Sequence, residues 1–156
     1  TPVEYLIAKW LHILTSTVLF GTGIGTAFYM FAISLGGDTR QVASISRWVV
    51  IGDWLFTAPT VVLQPLTGLW LMHLMGLTFD ARWLAWSLAL YVLAIGCWLP
   101  VVWLQLRLRD VAAEAAAHHS GLPPLYWKYF RWWTALGFPA LFAFLAIFWL
   151  MVAKGW

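Results

Sequence analysis

Charge is scarce in this chain. Only 10% of its 156 residues are charged, 9 Lys or Arg and 6 Asp or Glu, whereas 63% are apolar. A soluble domain carries about 25% charged and about 45–50% apolar residues, so a water-soluble globule, a disordered chain and a nucleic-acid-binding domain are all poor fits. With a mean hydropathy of +0.82, the composition is that of one integral membrane domain covering residues 1–156, with the lipid bilayer as its first partner. The net charge of +3 then reads through topology rather than through a polyanionic ligand. Cysteine is nearly missing: Cys97 stands alone inside an apolar stretch, forms no intrachain disulfide and carries no information on redox compartment. The sequence shows no internal repeat, linker or low-complexity tract, and no basic leader with a small-residue cleavage site. Met30, Met72, Met75 and Met151 form no repeated thioether pattern, and adjacent His118 and His119 diverge by about 100° on a helix, so copper transport and a histidine metal site have little support. No Ser-His-acid set falls at a common depth.

Long apolar runs are what the chain does have. Four stretches free of charge, Leu11 to Gly37, Trp54 to Phe79, Trp83 to Leu106 and Trp132 to Ala153, each exceed the roughly 20 residues that span a bilayer. They predict helices over 5–35, 45–75, 81–109 and 126–152. The Ala-rich stretch from Arg107 to His119 reads as the third helix continuing past the membrane. Gly36-Gly37-Asp38, Gly76-Leu77-Thr78 and Ser120 to Pro124 punctuate the connections. Connectors this short join antiparallel neighbours, so the expected fold is an all-α, up-down-up-down four-helix bundle. Arg40, Arg47, Arg107, Arg109, Lys128 and Arg131 gather at one end, against Lys9, Arg82 and Lys154 at the other. That bias predicts a multi-pass protein of the bacterial inner membrane with both termini outside.

Thirteen residues are Trp. Ten fall near the expected interfaces, Trp10, Trp70, Trp83, Trp86 and Trp156 outside and Trp48, Trp54, Trp127, Trp132 and Trp133 inside, as aromatic belts. Trp98, Trp103 and Trp149 lie deeper, where they pack in the core or against a cofactor.

Ionisable residues within a span are costly and mark candidate sites. Three qualify: His12, Asp53 and His73. His12 shares a helix face with Thr15, Ser16, Leu19, Gly23 and Thr26. Gly21, Gly23 and Gly25 provide small surfaces for a neighbouring helix or a flat cofactor; as a phosphate loop the G-x-G-x-G string is weak, because no strand precedes it. His12 is either a haem ligand or a histidine hydrogen-bonded to another helix. Antiparallel packing predicts His73 at similar depth, where it is a second iron ligand or an interfacial residue facing headgroups. Lys9 and Arg82 are candidates for haem propionates, and Trp83 sits at the same depth; the plainer reading has both cations snorkelling to the interface. Asp53, Thr57, Thr60, Gln64 and Thr67 form a polar stripe that lines a polar path or quinone site, or serves as interhelical glue with Asp53 paired to Arg131, Lys128 or Arg107. Gln64 also stands where Pro65 frees the Val61 carbonyl, so it is a candidate to repair that backbone group.

The stretches KWLHIL (Lys9 to Leu14), LQPLTGLWL (Leu63 to Leu71), SLALYVLAIGCWLPVVWLQLRLR (Ser87 to Arg109), LPPLYWKYFRWW (Leu122 to Trp133) and FWLMVAKGW (Phe148 to Trp156) resemble a family of bacterial integral membrane proteins of unknown function. More distantly, the chain resembles the four-helix superfamily of HemJ-class protoporphyrinogen oxidases and copper-resistance D membrane domains. Lys9 and His12 match the first-helix context that the HemJ class associates with b-type haem, whereas Ala85 and Ser87 stand where that class has a His and a Lys. The resemblance implies a b-type haem redox protein exchanging electrons with quinone or a small oxidant, with His12 and His73 on the iron and Lys9, Gly23, Arg82 and Trp83 around the ring. The alternatives are a non-catalytic membrane subunit, scaffold or small-solute transporter, and a HemJ-like oxidase. A redox partner protein and a homo-oligomer are compatible with each.

Overall fold

The computed structural model describes residues 1–154; Gly155 and Trp156, and with them the expected place of Trp156 in the outer belt, lie outside the described residues. The helices are α1 (Pro2–Gly36), α2 (Thr39–Gly52), a π-turn (Asp53–Thr57), α3 (Ala58–Leu74), α4 (Arg82–Ala117) and α5 (Pro124–Ala153). Because α2, the π-turn and α3 follow without interruption, they make four membrane-length rods, and the fold is the expected all-α four-helix bundle.

Local chemistry sets the ends, mostly beyond the expected boundaries. Thr1 Oγ1 accepts the Glu4 N–H and Pro2 opens the helix without an N–H to leave orphaned, so α1 starts before Tyr5. Gly37, at φ 74°, closes it in a conformation that strains other residues. Asp38 Oδ1 accepts the N–H groups of Arg40 and Gln41 at 3.0 and 3.1 Å, and this cap starts α2 at Thr39, not Ile45. α4 runs past Arg109 to Ala117, where His118 Nδ1 donates to the Glu114 carbonyl.

The second rod deviates at its π-turn, just before Pro59, where the Ala58 N–H reaches back to the Asp53 carbonyl. Helix α3 continues through Pro65. That proline leaves the Val61 carbonyl without its helical donor, and the Tyr91 hydroxyl of α4 donates to it. Gln64, the expected repair, turns to α1 instead.

Packing is tight at the end carrying the six basic residues. Met30, Val42, Val49, Leu104, Leu108, Ala112, Tyr126, Phe130 and Trp133 form one core there with contributions from all four rods. Inside it, Ser34 Oγ and Tyr126 Oη meet at 2.5 Å. Toward the termini the bundle divides into an α1–α3 pair and an α4–α5 pair. On α4, only Ser87 and Ala94 are buried before Leu104. Lipid tails are as apolar as leucine, so no hydrophobic force closes that gap.

Three tryptophans depart from expectation. Trp133 is buried in the core rather than placed in the belt, because its indole N–H finds Gln105. Trp103 and Trp149 are exposed on the lipid-facing surface instead of buried.

Candidate functional site

The π-turn brings Asp53 to a point where all four rods converge. Its Oδ1 accepts the hydroxyls of Thr26 on α1 and of Thr57, both at 3.0 Å. Its Oδ2 accepts the side-chain amide of Gln105 on α4 at 2.5 Å, and Gln105 Oε1 accepts the Trp133 indole N–H of α5 at 3.2 Å. The expected ion pair is absent: among the described residues Asp53 has no basic partner within salt-bridge distance. Gln105 and Arg107 lie two positions apart, so only one can face Asp53. The Arg107 guanidinium instead rests over the rings of Trp103 and Tyr129, 6.0 and 5.8 Å from their centroids.

This network is the polar floor of a cavity of about 400 Å³ between the two helix pairs. The volume falls within the roughly 300–1,000 Å³ of small-molecule sites. Its walls are apolar, drawn from Leu19 to Phe31 on α1, Val61 on α3, Ile95 to Val101 on α4 and Trp133 to Phe144 on α5. Asp53, Gln105, Thr26, Thr57 and Thr134 supply its polar side chains. Among the described residues the buried Thr134 hydroxyl has no hydrogen-bond partner. A helical threonine ordinarily bonds the carbonyl four residues back, and an orphaned hydroxyl costs about 1–3 kcal/mol unless something completes it.

His12 belongs to a second, separate cluster. Its Nδ1 lies 2.8 Å from Thr67 Oγ1 and its Nε2 3.4 Å from the Gln64 amide nitrogen, while Gln64 Oε1 accepts the Thr15 hydroxyl at 2.5 Å. Thr67 Oγ1 donates to α3 carbonyls, so it accepts the Nδ1 proton and Nε2 is the acceptor nitrogen. Gly68 permits the approach: a Cβ there would stand 3.2 Å from His12 Cε1.

The sequence candidates are only partly brought together. His73 is exposed, and it lies six residues beyond Thr67, about 9 Å along the helix axis. The expectation of matched depth with His12 therefore fails, because His12 pairs with Thr67 and Gly68. Lys9 and Arg82 are exposed; Lys9 Nζ lies over the Tyr5 ring and Lys154 Nζ over Trp83, each 5.7 Å away. Of the six residues expected around a haem, Gly23 alone lines the cavity. His12 stands seven residues, about 10 Å, from Leu19, its nearest cavity-lining residue on α1. The polar stripe divides: Asp53 and Thr57 face the cavity, whereas Gln64 and Thr67 bind α1 as glue.

Residues 6–155 match the family described as predicted integral membrane protein, DUF2269. The chain belongs to this family. It is thus an integral membrane protein in contact with the bilayer, and the description of DUF2269 names no activity. No curated protein and no solved structure matches the chain.

In this DUF2269 chain, Gln105, Thr134, Tyr91 and Gly137 were not among the sequence candidates. Gln105 had a signal, since a lone amide inside an apolar span is costly in the same way as Asp53. Thr134 and Gly137 had none, because hydroxyls and glycines are ordinary in membrane helices.

Proposed function

We propose that the protein binds a small membrane-dissolved molecule with a flat, oxygen-bearing head, of the quinone class, in the cavity above Asp53. The observation that carries this reading is that the Thr134 hydroxyl, without a hydrogen-bond partner among the described residues, belongs to a residue that lines the same largely apolar cavity as the Asp53–Gln105 pair. A quinone carbonyl accepts from that hydroxyl; a quinol hydroxyl donates to it or to Asp53 Oδ2, which holds one bond among the described residues. Trp98 and Phe138 offer aromatic faces to the ring.

The test uses the protein in lipid nanodiscs with a radiolabelled short-chain benzoquinone, measured against empty nanodiscs. Saturable one-site binding is expected. Thr134→Val keeps the shape but loses the hydroxyl, and is expected to weaken binding about 2- to 12-fold, the loss of one hydrogen bond of ~0.5–1.5 kcal/mol. Uptake that only follows lipid content overturns the reading.

A second reading, b-type haem on His12, is favoured by the Thr67 contact. A ligating imidazole has its Nδ1 proton held by an outer partner and its Nε2 directed at the metal, and the Gln64 amide at 3.4 Å is a weak occupant of that direction. The resemblance of Lys9 and His12 to the HemJ class supports it. His12 does not line the cavity above Asp53, and its ring is packed against Gly68, Thr67 and Gln64 of α3, so a porphyrin there requires α1 and α3 to part. A Soret band in the purified protein, lost in His12→Ala and kept in His73→Ala, supports this reading; absence of the band after expression with ample haem overturns it. A HemJ-like oxidase is the weaker reading, since Ser87, one of the two departures from that class, is buried and donates its hydroxyl to the Trp83 carbonyl. Partner proteins copurifying without ligand or chromophore support a scaffold subunit.

A further inference from the structure

The cavity is not sealed from the membrane. Helices α1 and α5 meet through aromatic rings at two levels: Phe20 with Phe144 and Phe148, at 6.5 and 5.2 Å between ring centroids, and Phe31 with Phe130 at 5.5 Å. Phe31 lies eleven positions beyond Phe20 on α1, about 16 Å of helix. Between these two levels the cavity wall includes residues that also face outward. Phe28 is 65% exposed, Phe138 54% and Ile24 46%, yet all three line the cavity. A side chain that both lines a cavity and meets the surrounding solvent stands at its mouth.

Gly23 and Gly137 stand on opposite walls of this window. Both line the cavity, and a Cβ built on either meets nothing within 4 Å. A glycine in a membrane helix ordinarily earns its place by letting a neighbouring backbone approach; here the two glycines leave space that nothing in the chain fills.

Resting on the quinone reading above, we infer that this window is a lateral portal, through which a ligand enters from the bilayer and its hydrocarbon tail remains among the lipid chains. The polar groups at the floor and the apolar rim at the bilayer define an amphipathic occupant with its head toward Thr134 and Asp53. The occupant is therefore a prenylated or alkylated quinone rather than a water-soluble one. Entry requires no passage of the tail across a headgroup region, because the rim residues lie within the apolar runs of α1 and α5.

The experiment compares a decyl-substituted benzoquinone with the same ring bearing a methyl group, in nanodiscs, with each apparent affinity corrected for partition into empty nanodiscs. Wild type is expected to show a corrected decyl-over-methyl preference near one, because the tail lies among lipid chains whether the ligand is bound or free. Gly137→Leu and, on the other wall, Gly23→Leu place a branched side chain in the window, and each is expected to reduce that preference about tenfold, the order of a steric mismatch in an apolar site. Leucine is a better helix former than glycine, so circular dichroism is expected to show full helicity in both variants. Leu145→Ala, on the exposed lipid face of α5 and outside the cavity, is expected to retain the preference. If both glycine variants keep the wild-type preference, or lose affinity for the two ligands by the same factor, the portal is overturned while the cavity reading stands. If wild type binds neither ligand saturably, both are overturned together.

Discussion

Gln105 donates its amide to Asp53 while accepting the Trp133 indole N–H, so a single side chain ties α4 and α5 to the π-turn of the second rod. Thr26 extends the same network to α1. Each hydrogen bond inside a membrane bundle contributes about 0.6 kcal/mol on average and up to ~1.7. Gln105→Leu is therefore expected to lower unfolding stability in mild detergent by about 1–3 kcal/mol, because it removes two bonds and leaves Asp53 Oδ2 and the Trp133 indole N–H without the partner each has now. Gln105→Glu, which keeps an acceptor for Trp133 but faces Asp53 with a second carboxyl group, is expected to destabilise as well. Unfolding by graded denaturing detergent, followed by circular dichroism, checks both.

Tyr91 and Pro65 act on the same backbone group, the Val61 carbonyl. The Tyr91 hydroxyl occupies the carbonyl that Pro65 deprives of its helical donor. Tyr91→Phe is expected to cost about 0.6–1.7 kcal/mol in the wild-type background. In the Pro65→Ala background, where the restored N–H competes for the Val61 carbonyl, the same change is expected to cost less. A double-mutant cycle measures the difference, and equal costs in both backgrounds would show that Tyr91 does not substitute for the missing donor.

The His12 cluster depends on the absence of a side chain at Gly68. An added Cβ 3.2 Å from His12 Cε1 forces the ring to give by a few tenths of an ångström. Gly68→Ala is expected to be mildly destabilising and Gly68→Val to cost about 1–3 kcal/mol, the usual range for overpacking. His12→Ala in the Gly68→Val background is expected to recover part of that loss. The check is detergent unfolding of the two single variants and the double.

How much of this was legible in the sequence follows from what helices and membranes each constrain. The four spans, their antiparallel order and the extension of the third rod follow from the spacing of charges and from short connectors, both one-dimensional properties. The α1–α3 glue was partly legible, since Thr15 and Thr26 share the His12 face and Gln64 and Thr67 share the Asp53 stripe. Its register was not, because setting His12 opposite Thr67 rather than His73 depends on how far one rod slides along the other. The partner of Asp53 depends on the rotation of α4, which brings Gln105 rather than Arg107 to it, and the π-turn that re-aims Asp53 has no sequence signal. The cavity depends on the two pairs diverging, to which no single helix pattern testifies.

The central claim is that the space between the helix pairs, and not the His12 cluster, is the binding site, and photoaffinity labelling tests it most directly. An azidoquinone is photolysed with the protein in nanodiscs, and the modified residues are located by mass spectrometry. The account predicts adducts on α1 between Leu19 and Phe31 and on α5 between Trp133 and Phe144, suppressed by excess unlabelled quinone. Adducts concentrated around His12 and Thr67, or spread over the lipid-facing surface and insensitive to competitor, would contradict it.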